Sequence, residues 1–109
     1  MTDKLVVLVT CRSAKEAERI ARGLVETRLA ACGNILRSPV RSIYRWKEKI
    51  ESGNETLVFF KVSENRQSAF QEKLRSLHPY DVPEIIFVSV ASGLREYLRW
   101  VFENCGQAR

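Results

Sequence analysis

Hydrophobic and polar positions divide this chain into short, well-marked pieces. Lys4 to Thr10 contains five consecutive aliphatics, Leu5-Val6-Val7-Leu8-Val9, the pattern of a strand buried on both faces. Ser13-Ala-Lys-Glu16 has capping-box spacing, and apolar residues then recur at Ala17, Ile20, Ala21, Leu24 and Val25, which predicts an amphipathic helix over Ala14 to Leu29. Gly33-Asn34 supplies a stop signal. From Asn34 to Ile50 the pattern is extended, with a bend or bulge expected at Ser38-Pro39. Val40, Ser42, Tyr44, Trp46 and Ile50 are expected on one face with Glu48. Arg41, Arg45, Lys47 and Lys49 are expected on the other with Ile43. A turn at Glu51-Ser-Gly-Asn54 then leads into the strand Thr56 to Val62, making a hairpin.

A second helix is expected from Ser63–Asn65, packing through Phe70, Leu74 and Leu77. A fourth strand follows over Glu84 to Val90, and a last helix from Ser92 uses Leu94, Tyr97, Leu98, Val101 and Phe102. The order βαββαβ plus a C-terminal helix is that of an α+β, ferredoxin-like sandwich. The hairpin from Asn34 to Lys61 is longer than such a sandwich requires. Tyr44, Trp46, Phe59 and Phe60 are therefore expected on an overhanging ribbon. Exposed aromatic patches and open strand edges mark interfaces, so the ribbon predicts self-association.

The richest stretch for chemistry is Leu77-His-Pro-Tyr-Asp-Val-Pro-Glu84, which contains the chain's only histidine. Pro79 disfavours the helical region at His78, and Pro83 keeps Val82 extended. A stiff connector thus presents an imidazole, a phenol and carboxylates where two elements meet. Imidazole nitrogen suits copper, zinc and nickel, which makes His78 a candidate metal ligand. Cys11, at the end of the first strand, is a second. Lys61 interrupts an apolar strand and needs a partner if buried, with Glu84, Asp81 and Glu55 as the available carboxylates. Alternatively, Lys61, His78, Tyr80 and Glu84 line a small anion or metabolite pocket between subunits, with Tyr44 and Trp46 as its wall.

Composition narrows the class. With 109 residues, 45% hydrophobic and 28% charged, the chain has the make-up of one soluble globular unit. No apolar run approaches the roughly 20 residues of a membrane span, and the N-terminus lacks the pattern of a secretory signal, so no membrane partner and a cytoplasmic location are expected. Three widely spaced cysteines, Cys11, Cys32 and Cys105, contain no CxxC pair and fit reduced thiols rather than a disulfide or zinc framework. The net charge of +5 permits anion binding, and Arg37, Arg41, Arg45, Lys47 and Lys49 cluster. A solvated basic face explains the cluster, and no nucleic-acid partner is expected. An RNA-binding RRM would need a glycine-bearing motif on its third strand, whereas Thr56 to Val62 has no glycine. An acylphosphatase-like enzyme would need an anion cradle, of which Cys11-Arg12-Ser13 is only a faint echo.

Several motifs, Leu29-Ala-Ala-Cys-Gly-Asn-Ile35, Ser42-Ile-Tyr-Arg-Trp46, Lys49-Ile50, Lys61, Leu77-His-Pro-Tyr-Asp-Val-Pro-Glu-Ile85 and Tyr97-Leu-Arg-Trp100, resemble the CutA (divalent-cation tolerance) proteins. The resemblance runs in order from Leu5 to Val101 and implies a single CutA-like domain over residues 1–109. It further implies a ferredoxin-like protomer in a stable homotrimer, assembled as the PII signalling proteins are, with hairpins pairing between subunits. Its implied role is binding and tolerance of divalent ions, copper (Cu2+) or another, without catalysis and without an organic cofactor. The alternative is a PII-like sensor that binds a small ligand in clefts between subunits. Some members of the family carry a histidine at the position of Leu77 and a cysteine at that of Val9, considered copper ligands; this sequence has neither, and its first-strand cysteine comes two residues later, at Cys11. At Glu48 the family usually has glycine.

Overall fold

The computed structural model describes residues 2–106. Five strands, β1 (Lys4–Cys11), β2 (Cys32–Ile35), β3 (Val40–Trp46), β4 (Lys49–Ser63) and β5 (Ile85–Ser89), combine with helices α1 (Ala14–Glu26), α2 (Gln67–Leu77) and α3 (Arg95–Glu103). The sheet order is β2-β4-β1-β5, with β3 paired to the far half of β4, and every pairing is antiparallel. β1 and β2 therefore run parallel on either side of β4, and β4 and β5 run parallel on either side of β1. Each pair is joined through a helix, which gives two interlocked split βαβ units and the expected ferredoxin-like arrangement.

Alternation along the strands sorts the two faces. Val7, Val9, Cys11, Val58, Phe60 and Val62 all point to the side covered by α1 and α2 and are fully buried there with Ile20, Leu24, Phe70 and Leu74. Phe60 is edge-on to Phe70, with ring centres 5.3 Å apart. It thus belongs to the core and not, as expected from sequence, to the ribbon. Gly33 lies opposite it, and a Cβ on that glycine would sit 2.9 Å from Phe60 Cε1. Close backbone approach is what this position requires.

α3 crosses the other face near the start of β1. The Lys4 ammonium lies 5.3 Å from the centre of the Phe102 ring, and Tyr97 Oη is 3.8 Å from Cys32 Sγ. Cys105, buried just past its end, donates to Leu29 O and receives Ser63 N–H. This placement leaves the hairpin end bare.

Two boundaries depart most from the sequence pattern, and the bend expected at Ser38-Pro39 is a full break. α1 stops at Glu26, before the Gly33-Asn34 signal, because Arg28 takes the left-handed cap position (φ 60°) and Leu29 N–H bonds back to Leu24 O. The extended stretch breaks at residues 36–39, around Ser38-Pro39, so that β2 and β3 are separate strands. The hairpin turn is Lys47-Glu48, not Glu51–Asn54. Both residues have positive φ (52° and 68°), and Trp46 pairs with Lys49, the two-residue turn whose twist suits a hairpin. Moving the turn also moves Ile50: it pairs with Arg45 and shares its face with Ile43, while Trp46 and Tyr44 share the opposite face with Lys49, Glu51 and Glu55.

The ribbon projects beyond the sheet. The molecule measures 45 × 26 × 24 Å, and its radius of gyration of 14.4 Å exceeds the ~13 Å of a compact chain this long. Ile43 is 72% exposed and Ile50 63%, with Tyr44 and Trp46 also open.

Candidate functional site

The connector between α2 and β5 forms the floor of the site. His78 ends α2 in an extended conformation, as Pro79 demands. Its ring is buried against Tyr80 (ring centres 4.6 Å apart) and both nitrogens are committed. Nδ1 accepts the Tyr80 backbone N–H at 3.2 Å, which places the proton on Nε2, and that nitrogen donates to Thr10 O at 2.8 Å. The imidazole is a rivet between β1 and the connector.

Tyr80 carries the chain of contacts outward. Its phenol donates to Glu55 Oε2 at 2.9 Å, joining the connector to the root of the ribbon. Burial and the neighbouring Glu55 carboxylate push the phenol's pKa far up, so it stays a donor. Glu84, half-buried, has its carboxyl raised by burial and then by the negative charge of Glu55.

These groups open onto a cleft of about 730 Å³ between ribbon and connector. Tyr44 and Trp46 form one wall, Tyr80 and Glu84 the other, with Glu55 at the root and Asp81 and Val82 at the rim. Four of the six pocket residues expected from sequence therefore meet: Tyr44, Trp46, Tyr80 and Glu84. His78 is buried behind Tyr80 and does not line the cleft, and neither does Lys61. Lys61 stands six residues along β4 from Glu55, about 20 Å at strand rise, and donates to Asn34 Oδ1 across the β2–β4 pair. Its partner is therefore an amide and none of the carboxylates weighed for it. Glu55 was not picked out as lining a pocket. Pairing outward from Trp46–Lys49 puts it on the Tyr44–Trp46 face, so the turn position is the signal that would have found it.

As a metal site, the pair His78 and Cys11 does not fit within one chain. His78 has no free nitrogen, and ligation would break one of two buried hydrogen bonds. Cys11 is fully buried, and burial followed by the charge of Glu16 pushes its thiol up to about 11, whereas a metal takes the thiolate. Among the described residues, no three His, Cys, Asp or Glu side chains stand close enough to share an ion.

A ferredoxin-like chain with an overlong hairpin and an aromatic, carboxylate-lined cleft at its root defines the class, and comparison with known proteins gives the family. The model of the CutA1 divalent ion tolerance protein family matches residues 5–104, and the chain belongs to that family. It is 45% identical over 101 residues to the divalent-cation tolerance protein CutA of Thermus thermophilus, covering 93% of this chain and 97% of that one. It is also 45% identical over 93 residues to human Protein CutA, covering 85% of this chain and 51% of that protein, so it spans only about half of that relative's length. The solved structure of the Thermus thermophilus protein superposes with a TM-score of 0.91 at 44% identity, covering 94% and 99% of the two chains. That of CutA from Xylella fastidiosa gives 0.92 at 39% identity, covering 96% and 100%.

Proposed function

We propose that this chain works as a homotrimer in tolerance of divalent cations, copper-type ions included, that it catalyses no reaction, and that it does so in the cytoplasm. Membership of the divalent ion tolerance family supports the role. The ribbon carries the assembly: Ile43, Ile50, Tyr44 and Trp46 stand in water on a two-stranded extension, which is marginal alone. Ile86 and Val88 leave a second apolar strip on the sheet face that α3 only partly covers. Two such strips, one projecting and one flat, suit packing between copies. Because His78 and Cys11 do not fit an ion within one chain, ion binding falls to groups that assembly brings together.

Light scattering on a sizing column tests the assembly: a mass near three times 12.6 kDa is expected, and a single species at 12.6 kDa contradicts it. Copper and zinc titrations under reducing conditions, on the wild type and His78→Asn, test the ion. Saturable heat unchanged by His78→Asn is expected, since both ring nitrogens are in use. A flat wild-type isotherm would remove direct ion binding from the proposal.

The cleft favours a second reading, a PII-like sensor holding a small ligand where subunits meet. Its volume lies within the range of small-molecule sites, and it combines ring faces with a few fixed polar groups.

A further inference from the structure

The chain has a net charge of +5, yet the cleft gathers three carboxylates, Glu55, Asp81 and Glu84. Among the described residues the ion pairs are Lys4–Asp3, Arg19–Glu16 and Arg22–Glu18, none of them in the cleft. The cleft's one lining cation, Arg41, turns its guanidinium to Asn54 Oδ1 (3.3 Å) and Ser52 Oγ (3.1 Å), partners from its own hairpin. Among the described residues Glu55 accepts only the neutral phenol of Tyr80. Negative charge is therefore left uncompensated inside a walled space, and Glu84 feels it. The wall is aromatic: Tyr44, Trp46 and Tyr80.

Three classes of occupant can be weighed against this arrangement. An anion meets three carboxylates and a guanidinium that is already bonded. A bare divalent ion needs several oxygens converging at bonding distance, and these carboxylates do not converge. An ammonium group is larger and softer. Carboxylates satisfy its charge at looser range, and ring faces attract it through their quadrupole while covering its methyl or methylene groups.

We propose that the cleft binds an organic cation, an amine or quaternary ammonium compound, with Glu55 and Glu84 facing its charge and Trp46 and Tyr44 covering its carbon skeleton. This rests on reading the cleft as a ligand site and goes further by naming the ligand's class. Asp81, exposed at the rim, draws cations toward the mouth.

The test is calorimetric titration of the full chain, under reducing conditions, with tetramethylammonium and putrescine as probes and with sodium phosphate, copper and zinc as comparisons. Saturable heat is expected for the ammonium probes and none for phosphate. Glu84→Gln and Trp46→Leu should each weaken ammonium binding about tenfold, the scale of losing one charge or one ring face from such a site. Glu72→Gln, on the exposed surface of α2, should leave it unchanged. Unaltered elution of each variant on a sizing column shows that the fold and assembly survive. Flat ammonium titrations of the wild type, or binding indifferent to both Glu84→Gln and Trp46→Leu, would overturn the proposal. Heat from copper alone would do the same while leaving the divalent-cation reading in place. The assembly is judged separately, by mass.

Discussion

β4 is one strand in two circumstances. From Thr56 to Ser63 it lies between β1 and β2, and Val58, Phe60 and Val62 are fully buried under α1 and α2. From Lys49 to Glu55 it has only β3 beside it, and its apolar Ile50 stands in solvent. Both halves alternate, and both are extended. What separates them is whether this chain supplies a layer to cover them. The first half carries the stability of the folded chain, while the second is held by a single ladder and is free to be covered by something else.

Two glycines report on the two halves, and the difference between them should be the largest effect. A methyl at Gly33 would meet Phe60 at 2.9 Å and 3.1 Å and Ala21 at 3.3 Å, so a well-packed ring or the strand must shift. Gly33→Ala is expected to cost about 1–3 kcal/mol by urea denaturation, the usual cost of overpacking a core. A methyl at Gly53 meets nothing within 4 Å. Gly53→Ala should be neutral or stabilising by up to ~1 kcal/mol, through a less flexible unfolded chain. A clear cost at Gly53 would sharpen the contrast in another way: it would show that a second chain covers the ribbon at that point.

The sequence pattern served the covered half better than the ribbon. The run Leu5–Val9, the period of α1 and the burial of Phe70 and Leu74 were all legible, because packing against one core imposes a clean period. The break near Pro39 and the end of α2 at His78 were legible through proline geometry. The hairpin turn was not. Gly53-Asn54 looks like a turn but sits within β4, while the actual turn uses Lys47 and Glu48, neither of them a left-handed residue by preference. That one misplacement put Ile50 on the wrong face and hid Glu55 from the cleft. Lys61 was misjudged for a similar reason. Apolar neighbours in sequence suggested deep burial, but they point to the core face while the lysine points away and finds Asn34. At His78 residue type alone left ligand and structural roles open. Only the positions of Thr10 O and Tyr80 N–H show both nitrogens in use.

The turn itself gives the next prediction. Glu48 is held at φ 68°, where a side chain crowds the backbone at a cost of roughly 1–2 kcal/mol, while glycine there would bring back about 0.5–1 kcal/mol of unfolded-chain freedom. Glu48→Gly should therefore raise stability by up to ~1 kcal/mol. In the bare half this gain would tighten the ribbon's tip, and slower amide exchange across Arg45–Ile50 is the local measure. Among the described residues the Glu48 side chain makes no hydrogen bond or ion pair, so a loss of stability would point to a contact supplied by another chain or a ligand.

The smallest effect lies at the border between the halves, where an acid is partly buried. Burial first, and the charge of Glu55 second, raise the folded pKa of Glu84 above the ordinary glutamate value of 4.5. The folded state then binds this proton more tightly than the unfolded chain does. Stability should therefore be highest where Glu84 is protonated, and it should fall as pH rises from 4.5 through the raised folded value, then level off. Most carboxylates in ion pairs slope the other way, so the contribution has to be isolated by difference. Denaturation midpoints of wild type and Glu84→Gln across that window should converge at the acid end and separate toward neutral pH, with the variant the more stable. Parallel curves would mean that Glu84 ionises freely. An ammonium ion in the cleft should act on the same curve, because a cation beside Glu84 favours its ionised form. With putrescine present, the wild-type decline should flatten toward that of the variant, while Glu84→Gln itself should show a smaller response to the amine.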